Sequence, residues 1–341
     1  MTRTRTVLLG LAALSLTVFA TAAGAGKPGP GGSTGTGRVF FPNPVAQLQD
    51  QTLTDQDDAD YAALQPAYRN VTLRNLDGSG TLTGDWANIR AETGDNAYSP
   101  TNEFVYGRSD DRFEQVMAYY WVTEAQRYIQ SLGFGTGRYR PVNMESQDLR
   151  INQWGQDNSY SWDKHDVIRL GKGGVDDAED AEVIVHEYGH AVHDSQVPGF
   201  GSSLEAGSIG EAWGDYLAVT VTNVIAPTPD APCVADWDSV SYTSTVPHCL
   251  RRVDLNLHYP ENVRGEVHAD GRIWSRALWD IRQALGHVKA DTIILEAQFS
   301  YAPDTSFRAA AETTIATAER LYGSPAEKAV RNAFDARGFL G

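Results

Sequence analysis

The sequence predicts an α+β fold of two lobes, with a mixed α/β N-terminal part and a mainly helical C-terminal part. Three observations support this prediction. Short alternating stretches between turn residues predict strands in the N-terminal half. Apolar residues at helical spacing predict a long helix over about 110–132 and further helices from 268 to the C-terminus. After the N-terminal segment, roughly 300 residues remain, enough for two lobes with a cleft between them.

The first 25 residues have the organisation of a secretory signal peptide. Arg3 and Arg5 precede an apolar run from Val7 to Ala20, and Ala23-Gly24-Ala25 forms an A-x-A cleavage site. The apolar run is too short to span a bilayer comfortably, and a polar, glycine-rich stretch follows it. We therefore expect an exported protein, extracellular or periplasmic, that keeps no membrane anchor.

The next segment, residues 26–38, has the composition of a flexible linker that contributes nothing to a core. Beyond it we expect an N-terminal α/β lobe over 39–200 and a helical C-terminal lobe over 201–341. The formal net charge of −16 disfavours binding to nucleic acid or to anionic membranes. A monomer is expected.

The most informative stretch is His186-Glu187-Tyr188-Gly189-His190, an H-E-x-x-H motif inside an apolar, helix-compatible run. On a helix, His186 and His190 lie on one face and can converge on a metal ion. Neutral imidazoles suit zinc, and a carboxylate beside a zinc-bound water can act as general base, as in a metalloprotease. The motif also occurs by chance in unrelated helices, so its weight depends on a third ligand.

Two patterns could supply that ligand. A metzincin needs a Gly and a His downstream and a later Met-turn, but positions 193 and 196 are His and Gln and no Met follows Met144. The alternative is Glu211 on a second helix, with Asp215 on the same face to orient a ligating imidazole. Without the upstream motif, these two residues would read as solvated acids on an amphipathic helix.

These residues resemble the zinc site of the thermolysin-like proteases, and the surrounding sequence is most similar to the fungalysin family. The similarity extends over roughly residues 39–341 and is carried by HEYGH, GEAWGDY, GEVHADGRIWSRALWDI and AFDARGFLG. It implies a thermolysin-like two-lobed zincin and a secreted zinc endopeptidase acting on polypeptides. It also implies one Zn²⁺ held by His186, His190 and Glu211, with Glu187 as the catalytic base.

The same resemblance makes His268 the second active-site histidine, a donor to the oxyanion of the reaction intermediate. Taken alone, a histidine at a helix start is more often a cap or a surface residue. Thermolysin orients this histidine with an Asp, but the matching position here is Val263, so Glu266 and Asp270 are the candidates. His193 is interpreted as structural or as part of a pocket wall, because a fourth protein ligand would close the metal position needed for catalysis.

Asn158 and Ser159 fall where the family's substrate-contacting edge strand is expected, although an ordinary β-turn explains them equally well. Cys233 and Cys249 are the only cysteines. In an exported protein they predict a disulfide, and a second metal site is the less favoured alternative. Calcium is possible at Asp55–Asp60 or Asp77–Gly80, but neither spacing fits a known calcium loop.

Two other functions remain open from sequence. The chain could be a zinc-stabilised secreted binding protein whose zincin fold is inactive, although a structural site has no need of Glu187. It could also be an aminopeptidase, or a metal-dependent hydrolase of another bond, with the same zinc pattern. Cleavage of end-blocked peptides at internal bonds discriminates an endopeptidase from an aminopeptidase.

Overall fold

The structure, a computed structural model, describes residues 32–152 and 154–341. The predicted signal peptide lies outside the described residues. The linker prediction is wrong for residues 33–38, which belong to the first strand. Glycine is required there by close packing, since a Cβ on Gly37 would lie 2.7 Å from Cγ1 of Val116. Composition alone could not distinguish this packed glycine from a flexible one.

The described strands belong to two larger sheets and one small ribbon. In chain order they are β1 (Ser33–Phe40), β2 (Tyr68–Leu76), β3 (Ala87–Ile89), β4 (Glu103–Phe104), β5 (Gln147–Ile151), β6 (Tyr160–Trp162), β7 (Val167–Leu170), β8 (Cys233–Val234) and β9 (Arg251–Arg252). The first sheet has the order β2-β1-β4 and the second has the order β3-β5-β7-β6. Strand β6 runs antiparallel to β7 and forms one edge of the second sheet.

The helices follow the predicted distribution. They are α1 (Pro44–Leu48), α2 (Arg112–Ser131), α3 (Ala181–Gln196), α4 (Leu204–Ile225), α5 (Val267–Leu285), α6 (His287–Gln298), α7 (Phe307–Tyr322) and α8 (Ser324–Ala336). Both larger sheets precede α3, whereas α4 to α8 are accompanied only by the β8–β9 ribbon in the part of the chain described. The predicted α+β class is therefore confirmed. None of the helices in this part is both long and apolar enough for a membrane span.

The core connects the sheets to the helical part. Helix α2 is buried along most of its length and packs against β1, β2 and α3. Helix α4 is packed between α3 and α5. Further along the chain, Trp274 of α5 packs against three aromatic rings from the C-terminal helices and the residues after them, Phe307, Phe334 and Phe339. The packing places α3 and α4 side by side within the interior, where their inward faces form the candidate site.

Candidate active site

The two helices that carry the site have defined starts and a close contact. Asp180 caps α3 by accepting a hydrogen bond from the backbone N–H of Glu182 at 3.0 Å, and Ser203 caps α4 in the same way. Between the helices, Gly189 faces Gly214, and a Cβ on Gly214 would lie 2.7 Å from Nδ1 of His186. The absence of a side chain at Gly214 therefore makes room for the His186 imidazole against α4.

The structure brings His186, His190 and Glu211 together. The two Nε2 atoms of His186 and His190 are 3.2 Å apart. The Glu211 carboxylate lies 3.3 Å from Nε2 of His186 through Oε2 and 3.7 Å from Nε2 of His190 through Oε1. Tetrahedral zinc with bonds of about 2.0–2.1 Å places its donor atoms about 3.3 Å apart. Two imidazole nitrogens and a carboxylate at this spacing fit a single zinc ion.

Asp215 lies directly behind His186. Its Oδ1 is 2.9 Å from Nδ1 of His186, and Arg251 donates to the same carboxylate from Nε at 2.8 Å and from Nη2 at 2.7 Å. Although burial opposes ionisation, Arg251 and His186 lower the pKa of Asp215 to about 2. An ionised Asp215 fixes the proton on Nδ1 of His186 and leaves Nε2 free to bind a metal.

Arg251 was missed by sequence reasoning. It comes from β9, far along the chain from the zinc-site helices, and its side chain is mostly buried beside them. The only signal in the sequence is indirect, since Arg251 follows Cys249 and that cysteine is held by a disulfide to Cys233, with Cα atoms 5.4 Å apart. The predicted disulfide is confirmed, and it fixes the position of the segment that contains Arg251.

The protonation of the two candidate histidine ligands depends on their surroundings. Burial disfavours the charged form of His186, but hydrogen bonds to Asp215 and Glu211 outweigh it and raise the pKa of His186 to about 10. Burial lowers the pKa of His190 to about 4. Without a metal, this group therefore retains a proton on His186. Metal binding would displace that proton, because only the deprotonated Nε2 can ligate.

Glu187 lies next to His186 and lines the same cavity. Its side chain is buried, and burial raises the pKa of its carboxyl to about 7. Efficient general bases at neutral pH have pKa values near the operating pH. The environment of Glu187 is therefore suited to proton transfer in a cleft that already holds the candidate metal ligands.

His268 lies at the start of α5, across the cleft from α3. Its Nδ1 is 2.7 Å from Oε1 of Glu266, and its Nε2 lies 3.3 Å from Oε2 of Glu211. Glu266 also caps α5 through the backbone N–H groups of His268 and Ala269. The other candidate partner, Asp270, instead accepts from the backbone N–H groups of Arg264 and Gly265. Glu266 is therefore the residue that orients the His268 ring.

The candidate ligands open onto a cleft of about 420 Å³. The predicted substrate-contacting residues Asn158 and Ser159 line it, immediately before edge strand β6. The Ser159 hydroxyl already donates to Asp177, and it accepts from the backbone N–H of Gly171 at 3.3 Å. A substrate contact by either residue therefore remains a prediction, whereas their position at the cleft is a feature of the fold.

His193 does not join the metal-ligand group. Its ring stacks on Phe200 with centroids 3.7 Å apart, and burial lowers its pKa to about 3. It borders a small cavity beside His190 and Glu211. These contacts support the interpretation of His193 as a pocket-wall residue.

The fold of this chain is shared with a metalloproteinase of known structure. A solved structure, the precursor of protealysin, a metalloproteinase from Serratia proteamaculans, superposes with a TM-score of 0.52 at 17% sequence identity. The match covers 65% of this chain and 77% of that chain. The predicted thermolysin-like fold is confirmed by this likeness.

The family follows from the sequence comparison. The family model described as fungalysin metallopeptidase matches residues 75–339, and the chain belongs to this family. Similar proteins include extracellular metalloproteinase mep of Aspergillus niger, 29% identical over 124 residues that cover 31% of this chain and 18% of that protein. Extracellular metalloproteinase 4 of Trichophyton rubrum is 28% identical over 142 residues, 38% of this chain and 20% of that protein. The matched part of this chain thus spans about a fifth of the length of these curated relatives.

Proposed function

We propose that this chain is a secreted zinc-dependent endopeptidase. The observation that carries the proposal is the convergence of His186, His190 and Glu211 on one point of an open cleft, with the buried carboxyl of Glu187 beside them. Membership of a metallopeptidase family supports the reaction class.

His186, His190 and Glu211 are the residues that would hold the zinc ion. When bound, zinc lowers the pKa of a water molecule and polarises the carbonyl of the bond to be cleaved. Asp215 keeps the His186 ring in the required tautomer, and Arg251 offsets the negative charge of Asp215. In the described residues, no fourth His, Cys, Asp or Glu joins this group, which suits a catalytic rather than a structural site.

Glu187 moves the proton in the proposed reaction. Its carboxylate accepts a proton from the attacking water and then transfers that proton to the leaving amine. His268 lies on the opposite side of the cleft, where its Nε2 donates a hydrogen bond to the oxygen that becomes negative in the transition state. Glu266 favours this role, because its carboxylate lies 2.7 Å from Nδ1 and fixes the orientation of the ring.

Edge strand β6 is the proposed binding strand for substrate. It lies beside α3 at the edge of its sheet, so an extended peptide can add to it through backbone hydrogen bonds. A peptide bound in this way continues on both sides of the reacting bond, which favours internal cleavage of flexible or unfolded polypeptides. Asn158 and Ser159, at the entrance to β6, are proposed to contact its backbone.

Export is part of the same proposal. The basic and apolar N-terminal residues have the pattern of a secretory signal, and the named relatives are extracellular proteins. An exported location also suits the disulfide between Cys233 and Cys249.

The reaction is tested with internally quenched peptides that are blocked at both ends. The purified protein should cleave them at internal bonds, lose this activity when a chelator removes zinc, and regain it when zinc is restored. Mass spectrometry of the products then locates the cleaved bonds. If zinc binds at one ion per chain and no peptide is cleaved, the zinc-stabilised binding protein becomes the better account. Cleavage of unblocked peptides alone, from the N-terminus, would instead indicate an aminopeptidase.

A further inference from the structure

A second group of acidic side chains lies beside the cleft, and two of its members, Asp177 and Asp238, line it. Asp157 precedes edge strand β6, Asp177 lies in the turn that leads into α3, and Asp238 follows strand β8. Each offers one carboxylate oxygen, and these three oxygens lie within 4.8 Å of one another. Three distant parts of the sequence therefore meet at one point through their carboxylates.

Each carboxylate in this group has one buried oxygen without a partner among the described residues. Asp238 is 3% exposed, its side chain accepts no hydrogen bond, and its buried Oδ1 has no partner. Asp177 is 2% exposed and accepts from Ser159 through Oδ2, while its Oδ1 is unpartnered. Oδ1 of Asp157 is also buried without a partner. In residues 32–152 and 154–341, no Arg, Lys or His forms a salt bridge with any of the three.

Burying an ionised carboxylate without hydrogen-bond donors costs free energy, which either protonation of the carboxylate or a bound cation can offset. Burial raises the pKa of Asp177 to about 7 and raises the pKa of Asp157 and of Asp238, so protonation is one remedy. Carboxyls that share protons are joined by O–H···O hydrogen bonds of about 2.5–3.0 Å. No hydrogen bond joins any two of these three side chains in the described structure. A cation bound between the three carboxylates is the other way to offset their charge.

We propose that Asp157, Asp177 and Asp238 form a calcium site. A set of oxygen atoms with no nitrogen or sulfur suits a hard cation, and calcium accepts irregular carboxylate arrangements better than magnesium does. The ion would join the entrance of β6, the turn before α3 and the segment after β8. It would thereby fix the position of Asn158 and Ser159 relative to the helix that carries His186 and Glu187.

The acidic turns noted in the sequence do not have this arrangement. The carboxylates of Asp55 and Asp58 lie 2.6 and 3.4 Å from Nη2 of Arg108, so an arginine already offsets their charge. Asp77 accepts a hydrogen bond from the backbone N–H of Ser79 at 2.8 Å and lies in an exposed turn. Asp77 is therefore a suitable control position for calcium binding.

The test measures calcium binding in Glu187→Gln protein, which removes self-cleavage and makes the result independent of the proposed activity. Equilibrium dialysis with radioactive calcium compares this protein with versions that also carry Asp238→Asn or Asp77→Asn. Zinc content and circular dichroism show whether each protein is folded. We expect Asp238→Asn to lose one bound calcium per chain and Asp77→Asn to retain it.

A second variant and a second measurement guard against misfolding of Asp238→Asn. Asp157→Asn, at the least buried of the three positions, should weaken calcium binding at least tenfold and reduce the calcium-dependent rise in Tm. Equal calcium binding by all variants would overturn the proposal. The proposal would also be overturned if substitution raised Tm by the same amount with and without calcium. That result would identify a group of protonated acids. If the proteins bind no calcium, and Asp157→Asn in the otherwise unmodified protein loses a preference for cleavage beside basic residues, the group is a substrate pocket instead.

Discussion

Asp215 links the zinc-site histidine to an arginine, with Oδ1 2.9 Å from Nδ1 of His186 and Arg251 bound to both of its oxygens. The carboxylate is therefore held from two sides and cannot rotate away from the imidazole. Its position determines which nitrogen of His186 faces the other ligands, and so the geometry of the site depends on a residue that touches no metal.

Replacement of Asp215 by Asn should weaken zinc binding. The amide lacks the negative charge that fixes the Nδ1 proton, and loss of such an outer partner costs about 10–100-fold in metal affinity. Competition with a chromogenic zinc chelator measures the affinity. Asp335→Asn, at an exposed position of α8, is the matched control and should bind zinc like the unmodified protein. Equal affinities for both variants would contradict the role assigned to Asp215.

Glu266→Gln should lower kcat by about fivefold and leave KM nearly unchanged. The glutamine can still accept hydrogen bonds at the start of α5, but the bond to His268 loses its charge, which removes about 1 kcal/mol. Because the effect falls on the oriented His268, it should be absent in a His268→Gln background. His268→Gln itself should lower kcat by about 10²–10³. Glu261→Gln, at an exposed position, serves as the control. If Glu266→Gln changed KM alone, orientation of His268 by Glu266 would be contradicted.

Removal of the disulfide should cost about 3 kcal/mol of the free energy of unfolding. The two cysteines are separated by 16 positions, and the bond restricts a loop of that size in the unfolded chain. Urea denaturation of the double variant Cys233→Ala, Cys249→Ala measures the loss, in the Glu187→Gln background to prevent autolysis. Adding reductant should destabilise the parent protein and have no effect on the double variant. A double variant as stable as its parent would contradict this prediction.

Glu114→Gln should change how stability depends on pH. Glu114 is fully buried in α2, both carboxylate oxygens lack partners, and burial raises its pKa well above the ordinary value. The folded state therefore holds a proton that the unfolded state releases above about pH 4.3. Its contribution to stability is complete below that pH and declines by about 1.4 kcal/mol per pH unit as the pH rises.

The measurement is the free energy of unfolding between about pH 5 and pH 7, again in the Glu187→Gln background. Relative to its parent, Glu114→Gln should gain stability as the pH rises. Glu103→Gln, at an exposed site, should follow the parent at every pH. A constant difference between Glu114→Gln and its parent across this range would show that Glu114 is not a buried neutral acid.

The parts of the fold predicted from sequence are those determined by local spacing. Helix α3 places His186 and His190 on one face because a helical turn fixes that relationship, and α4 brings Glu211 and Asp215 to one face for the same reason. The predicted helix over 110–132 is confirmed as α2, Arg112–Ser131. The family resemblance also predicts the position of His268 at the cleft.

The missed features depend on contacts between distant residues. Arg251 reaches Asp215 only because β9 pairs with β8 across the loop closed by the disulfide. The composition of residues 26–38 predicts a linker that includes Gly37. Composition does not reveal that the Val116 side chain packs against this glycine. The sequence offers Glu266 and Asp270 as partners of His268, because it does not show which carboxylate faces the ring. Likewise, no spacing in the sequence connects Asp157 with Asp238.

The central claim is that Glu187 is the catalytic base beside a bound zinc ion. The most direct measurement compares the unmodified protein with Glu187→Gln in hydrolysis of end-blocked, internally quenched peptides, with bound zinc quantified in both. We expect about one zinc per chain in each protein and cleavage by the unmodified protein alone. Cleavage by Glu187→Gln at the unmodified rate, with zinc bound, would contradict it.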